Sequence, residues 1–239
     1  TGFWQFVDWT AEWERGSPIR SEDEVNVLYC LMLTEAFRTA SRLANYIARP
    51  DVAKEYEEAA VQLSDAINAQ CFDKEDGLYY DVIGRGPKSQ QAQIWATLSG
   101  VASPERARSI MERAVTDPTL CRSSFCMQFF LCRALEKTGL YAHVEATWKR
   151  WEELMAYHLY TWPEDDINWR SDCHAWSATP MAEFVACGLG IRPGAPGYGL
   201  VCVSPKMLWM SSCRGSVRTP FGRLAVDWRQ DNGLFILRL

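Results

Sequence analysis

Leu189-Gly190-Ile191-Arg192-Pro193-Gly194-Ala195-Pro196-Gly197 divides the chain into two kinds of sequence. These nine residues hold three of the fifteen Gly and two of the eleven Pro. Glycine frees the backbone and proline removes a donor, so the stretch reads as a linker rather than as the interior of a helix or strand. Before it, apolar residues recur at helical spacing. Ser21-Glu22-Asp23-Glu24 fits a capping box, followed by Val25, Leu28, Met32, Ala36, Phe37, Ala40, Leu43, Ala44 and Ile47 on one face. A second helix is expected from about Asp51 to Cys71, after the break at Arg49-Pro50. Gly77 to Ile83 reads as a short strand, and further helices are expected over 88–101, 104–116, 123–138, 141–158 and 173–188. Ser103 and Pro104 supply a cap and a first-turn proline for one of them.

After the linker the period changes. Leu200 to Val203, Gly215 to Thr219, Leu224 to Trp228 and Leu234 to Leu237 are β-branched or alternating runs, separated by turn pairs such as Asp231-Asn232-Gly233. The chain is therefore expected to be mainly α, with about seven helices over 1–190 running into the beginning of an antiparallel β-sandwich over 191–239.

Composition removes several classes of function. The 239 residues are 48% hydrophobic and 23% charged, as in an ordinary globular chain, so disorder is excluded. No apolar run reaches the roughly 18–20 residues that span a bilayer, and no membrane partner is expected. The net charge of −5, with Lys and Arg scattered, lacks the footprint of a nucleic-acid binder. Nine Cys with no CxxC and no matching His pair argue against zinc and against a disulfide framework. They read as small buried thiols in a reducing, cytoplasmic compartment. Phosphate loops and Ser/His/Asp order are absent, so neither metal nor cofactor is expected. The sequence opens Thr1-Gly2-Phe3-Trp4 without a leader and closes in an apolar run at Leu239, which reads as a piece of a longer protein of unknown oligomeric state.

Aromatic residues make up 13% of the chain, with eleven Trp, and five of those lie between residues 148 and 176. Sugars stack their C–H faces on indole while their hydroxyls seek polar partners, so this segment is a candidate carbohydrate site. Pro163 ends any helix through Tyr160-Thr161-Trp162-Pro163, leaving Glu164, Asp165 and Asp166 on a loop flanked by indoles. A carboxylate beside a stacking wall is what glycoside hydrolysis requires. An acidic run ahead of a helix start, favourable to its dipole, has the same appearance. Trp148 and Trp151 fit a helix core, as Trp209 and Trp228 fit the β part, while Trp95 fits either a core or a barrel lining.

Phe6-Val7-Asp8-Trp9, Thr161-Trp162-Pro163-Glu164 and Arg170-Ser171-Asp172-Cys173-His174-Ala175-Trp176-Ser177-Ala178 resemble the bacterial α-L-rhamnosidases of glycoside hydrolase family 78. So do Leu189 to Pro193, Val203-Ser204-Pro205, Gly215-Ser216-Val217, Thr219-Pro220-Phe221-Gly222 and Val226-Asp227-Trp228, in the same order along the chain. The resemblance implies an (α/α)6 barrel, present here in part, followed by a C-terminal β-sandwich. It implies an inverting hydrolase that releases terminal α-L-rhamnose from oligosaccharides or plant glycosides. Glu164 would be the general base, His174 a sugar contact, and Asp8 and Trp9 would line the same pocket. Trp162 is the candidate stacking wall. The family's general acid lies in an Arg-containing acidic motif upstream of Phe-Val-Asp-Trp, before this sequence starts; Glu12 and Glu14 stand in a different setting. A catalytically silent carbohydrate-binding or scaffold module, and a barrel glycosidase of other sugar specificity, are the alternatives.

Overall fold

The first long helix begins at Asn26 rather than at Ser21. Asn26 Oδ1 accepts from the backbone N–H of Leu28 at 3.1 Å and of Tyr29 at 3.4 Å, capping α1 (Val27–Tyr46). An isolated β-bridge to Val82 holds Asn26 extended, so the helix cannot start sooner. The expected capping box instead closes a turn, with Glu24 N–H donating to Ser21 O and its carboxylate accepting from Arg20 N–H at 2.6 Å. The computed structural model describes residues 4–21, 23–84, 87–165 and 171–239. They fall into two compact units, Thr1–Leu140 and Tyr141–Leu239.

In the first unit α1 pairs with α2 (Pro50–Gln70), which starts on the proline and buries Ala53, Ala60, Ser64 and Ile67. Small side chains on that face let the backbones approach, and Ser41 Oγ reaches Ala53 O at 2.8 Å. A two-residue hairpin follows, β1 (Phe72–Asp73) against β2 (Leu78–Tyr79), turning at Gly77. α3 (Gln90–Leu98), α4 (Pro104–Thr116) and α5 (Phe125–Lys137) are capped by Ser89, Ser103 and Ser124, whose hydroxyls accept from Ala92, Arg106 and Cys126 N–H. These starts agree with the spacing of the sequence. α3 is buried almost all round and packs on α1, α4 and α5. Its buried Gln93 grips β2 with both ends of the amide, accepting from Tyr79 N–H and donating to Tyr79 O at 2.9 Å each.

The second unit departs from the expected long helices. Residues 141–158 form a 3₁₀ turn (Tyr141–His143), α6 (Val144–Thr147) and α7 (Lys149–Ala156). Bonds from Trp148 N to Glu145 O and from Trp151 N to Trp148 O tighten the chain there to three-residue spacing. Residues 173–188 also break, into a 3₁₀ turn at Ala175–Ser177, α8 (Thr179–Glu183) and a π-type turn at Phe184–Leu189. Pro180 sits in the first turn of α8, where a missing N–H costs nothing.

The expected linker is partly structured. Ile191–Pro193 is β3, antiparallel to β4 (Val201–Val203). Gly190 at φ 78° is a required turn, since a Cβ there would stand 2.3 Å from Pro205 N. β5 (Ser212–Thr219), β6 (Gly222–Asp231) and β7 (Leu234–Arg238) form a second antiparallel sheet. Leu189, Ile191, Val226 and Trp228 form the core to which strands of both sheets contribute. Trp228 is fully buried, with its indole N–H on Gly188 O at 2.7 Å. No helix among the described residues is long and apolar enough to cross a membrane.

Candidate active site

Asp8 is fully buried in the first unit. Its Oδ2 accepts from Gln91 Nε2 at 2.7 Å and from Ser124 N–H at 2.9 Å, while Oδ1 accepts from the Ser124 hydroxyl. One carboxylate thus ties the opening segment to α3 and to the cap of α5. Trp9, half-buried, packs its ring on Phe6 at 5.0 Å. Nearby, Asp81 is also fully buried, its Oδ1 accepting from Ser89 Oγ at 2.5 Å and its Oδ2 without a partner. Burial pushes its carboxyl up to about 7, outweighing the Ser89 hydrogen bonds that lower it. Sequence reasoning passed over Asp81, and also over Gln91 and Ser124, because nothing in their local pattern marks a buried polar network. Trp95 is half-buried against Phe130, at 4.6 Å.

In the second unit the two quoted motifs meet. Glu164 N–H donates to Ser171 O at 2.7 Å and His174 N–H donates to Trp162 O at 2.5 Å, so the loop returns antiparallel on itself. Trp176 Nε1 donates to Glu164 O at 2.6 Å, and the His174 and Trp176 rings lie 4.0 Å apart. Glu164 is 8% exposed and Asp165 6%, whereas Trp162 and His174 are half-exposed. Backbone bonds therefore fix the acidic loop and leave the side chains of Trp162 and His174 partly open. Asp166, Trp169 and Arg170 lie outside the described residues.

Trp162 also lines a cavity of about 340 Å³ with Trp148, Trp151, Tyr160 and Phe184. Trp151 is buried, with its indole N–H on Ser177 O at 2.9 Å, as a core residue would be. Trp209 packs on Tyr141 and Trp148. Trp162, Glu164 and His174 thus share one loop of the second unit, and Asp8 and Trp9 share one segment of the first.

Residues 2–123, just over half the chain, match the model of the bacterial α-L-rhamnosidase six-hairpin glycosidase domain. Residues 190–239 match that of the bacterial α-L-rhamnosidase C-terminal domain. The chain belongs to the bacterial α-L-rhamnosidase family. Among solved structures, the family 78 rhamnosidase of Bacillus sp. GL1 is 28% identical over 98% of this chain and 26% of its own, with a TM-score of 0.86. The Streptomyces avermitilis α-L-rhamnosidase, complexed with L-rhamnose, is 18% identical over 88% of this chain and 22% of its own, at 0.75. The Aspergillus terreus α-L-rhamnosidase is 15% identical over 87% of this chain and 26% of its own, at 0.73. The last two attest the fold alone. The chain spans about a quarter of the length of these structures. No curated protein matches it. The helical pairs of the first unit are accordingly part of a six-hairpin barrel, and the strands after Gly190 belong to the β domain that follows it.

Proposed function

We propose that this chain carries the base side of an inverting glycoside hydrolase active site that releases terminal α-L-rhamnose from oligosaccharides or plant glycosides. The observation that carries this is the pinned loop. Glu164 is held by its own backbone at N–H and C=O, beside a half-open indole and imidazole. A base must be fixed relative to the anomeric carbon, because the water it activates attacks from one face only. Glu164 accepts the proton of that water as its oxygen bonds to the anomeric carbon and the leaving oxygen departs with a proton from a second carboxylic acid. Inversion places the two carboxyl groups roughly 6.5–9.5 Å apart to admit the water. The acid on this reading lies outside residues 1–239, since Glu12 and Glu14 do not match its motif.

Trp162 supplies a face for the sugar, His174 a polar contact, and Trp9 a second aromatic surface. Asp8 acts in the same pocket by fixing the segment that carries Trp9. The domain boundary near residue 190 follows from the same assignment: barrel before it, sandwich after it. The test is Glu164→Gln in the full-length polypeptide, assayed on p-nitrophenyl α-L-rhamnoside. Turnover should fall roughly 10²–10⁴-fold with substrate binding kept. Activity within a few-fold of wild type would remove Glu164 from the reaction. Residues 1–239 alone should hydrolyse no rhamnoside measurably.

A further inference from the structure

Lys and Arg are scattered along the sequence, yet the second sheet gathers arginines on one of its faces. Side chains alternate across a strand, so residues two apart share a face. Leu224, Val226 and Trp228 on β6 turn towards the core, with Cys213 and Val217 on β5. Phe235 on β7 lies on the same side, stacked on Trp228 at 5.4 Å. The other face therefore carries Arg214 and Arg218 from β5, Arg223 and Arg229 from β6, and Arg238 from β7, all of them exposed. Residues 190–239 hold seven Lys and Arg against two Asp, a net of +5 in a chain whose total is −5.

The strand register brings these charges together with little to neutralise them. Arg218 stands directly opposite Arg223, while Arg214 and Arg238 flank Asp227 from the two neighbouring strands. Opposed side chains on antiparallel strands have Cβ atoms roughly 4.5–5.5 Å apart, and like charges there destabilise the sheet. None of the five guanidinium groups forms an ion pair with a described residue. Arg223 Nε donates instead to Ser216 Oγ at 2.9 Å. Folding gains nothing from the opposed arginines, whereas an anion seated over them removes the repulsion. Each guanidinium fork can pair with a carboxylate through two parallel N–H···O bonds.

The layout of the face narrows the kind of anion. Residues on an antiparallel strand rise about 3.4 Å each, so the row Arg214–Asp227–Arg238 and the row Arg218–Arg223 lie about 14 Å apart. Ser216 and Ala225 form the row between them. Phe221 stands 78% exposed at the turn beyond Arg218 and Arg223. Cationic clusters separated by hydroxyl and small apolar surface, with an aromatic ring at one end, fit a polymer whose carboxylates are spaced along hydroxylated rings. Duplex DNA presents one charge per about 1.7 Å, and at that density its phosphates would also meet Asp227 and Asp231.

We propose that this sheet face is a docking surface for a uronate-bearing acidic polysaccharide, built from none of the residues assigned to the cleavage site. The choice of a polysaccharide rests on the reading of the chain as a rhamnoside-acting protein; the charge of the face does not. The full-length polypeptide is titrated calorimetrically at low salt with a galacturonate oligomer and with a neutral dextran oligomer. The double variant Arg218→Gln/Arg223→Gln removes the opposed pair together with its repulsion, so its melting temperature should hold or rise. It should bind the galacturonate oligomer about tenfold more weakly and with a shallower salt dependence, as fewer ionic contacts require. Asp227→Asn removes the carboxylate between Arg214 and Arg238 and should tighten the same ligand about threefold, the scale of one exposed charge contact. No binding of the galacturonate oligomer at millimolar concentration, equal binding by wild type and the double variant, or equal binding of the dextran oligomer overturns the surface. Tighter binding of duplex DNA or of phosphatidylserine vesicles at the same salt also overturns it, since the arginines would then serve phosphates. If Glu164→Gln keeps full turnover while the double variant still loses the galacturonate oligomer, the reaction assignment falls and the surface stands.

Discussion

Asp81 makes the stability of the first unit fall as pH rises from about 4 to about 7, and Asp81→Asn should abolish that slope. The carboxyl is fully buried, with one oxygen on Ser89 Oγ and the other unpartnered. Burial raises it from the ordinary 3.8 to about 7. A raised folded-state value means that the folded protein binds the proton more tightly than the unfolded chain. The associated stability is fully present below about pH 4 and is lost progressively up to about pH 7. The shift of 7 − 3.8, close to 3 units, corresponds to about 4 kcal/mol at most. Asparagine keeps the acceptor for Ser89 but places an amide N–H₂ where Oδ2 now lacks a partner, costing about 1–3 kcal/mol at every pH. Wild type should therefore be the more stable form at pH 4.5 and the variant the more stable form at pH 8, with the curves crossing between. Asp73 and Asp117 are held low by hydrogen bonds and by Lys88 and Arg113, so they work in the opposite direction, losing their contribution only in acid. They are common to both proteins and cancel in the difference. The assay is urea unfolding followed by tryptophan fluorescence across that pH range. Parallel curves for the two proteins would refute the reasoning.

Asp8→Ala strands Gln91 Nε2 and the Ser124 N–H without their acceptor and should destabilise the unit by about 2–4 kcal/mol in denaturant titration; a loss under about 1 kcal/mol would mean that water replaces the carboxylate. Trp162→Ala should weaken L-rhamnose by about 1–3 kcal/mol in calorimetry, because the loop is pinned through the Trp162 carbonyl and survives loss of the ring. Unchanged sugar affinity with a lowered melting temperature would return that indole to packing alone.

How much of this could be read from residues follows the range over which each feature is decided. The starts of α3, α4 and α5 are settled by Ser89, Ser103 and Ser124 acting within three residues, a local range over which the expected helices at 88–101, 104–116 and 123–138 come close, with the cap itself read only at Ser103. The start of α1 was misplaced because Asn26 is held by a bridge to Val82, more than fifty residues away, and the local capping pattern at Ser21 lost to it. The same limit explains the fragmented helices of the second unit. Apolar spacing over 141–158 and 173–188 is helical, yet three-residue turns and a π-type turn interrupt it. Gly190 looked like a loop residue and is instead fixed by Pro205, fifteen positions on. In the candidate site, the sequence named Trp162, Glu164 and His174 and marked two separate runs as important. That the runs exchange backbone hydrogen bonds depends on the return of the intervening loop. Asp8 shows the remaining gap. A motif match identifies a residue but not the direction of its oxygens, and here both accept bonds from Gln91 or Ser124. Its carboxylate therefore anchors the opening segment to α3 and to the cap of α5, and on the proposed reading the group that segment offers to sugar is the neighbouring indole of Trp9.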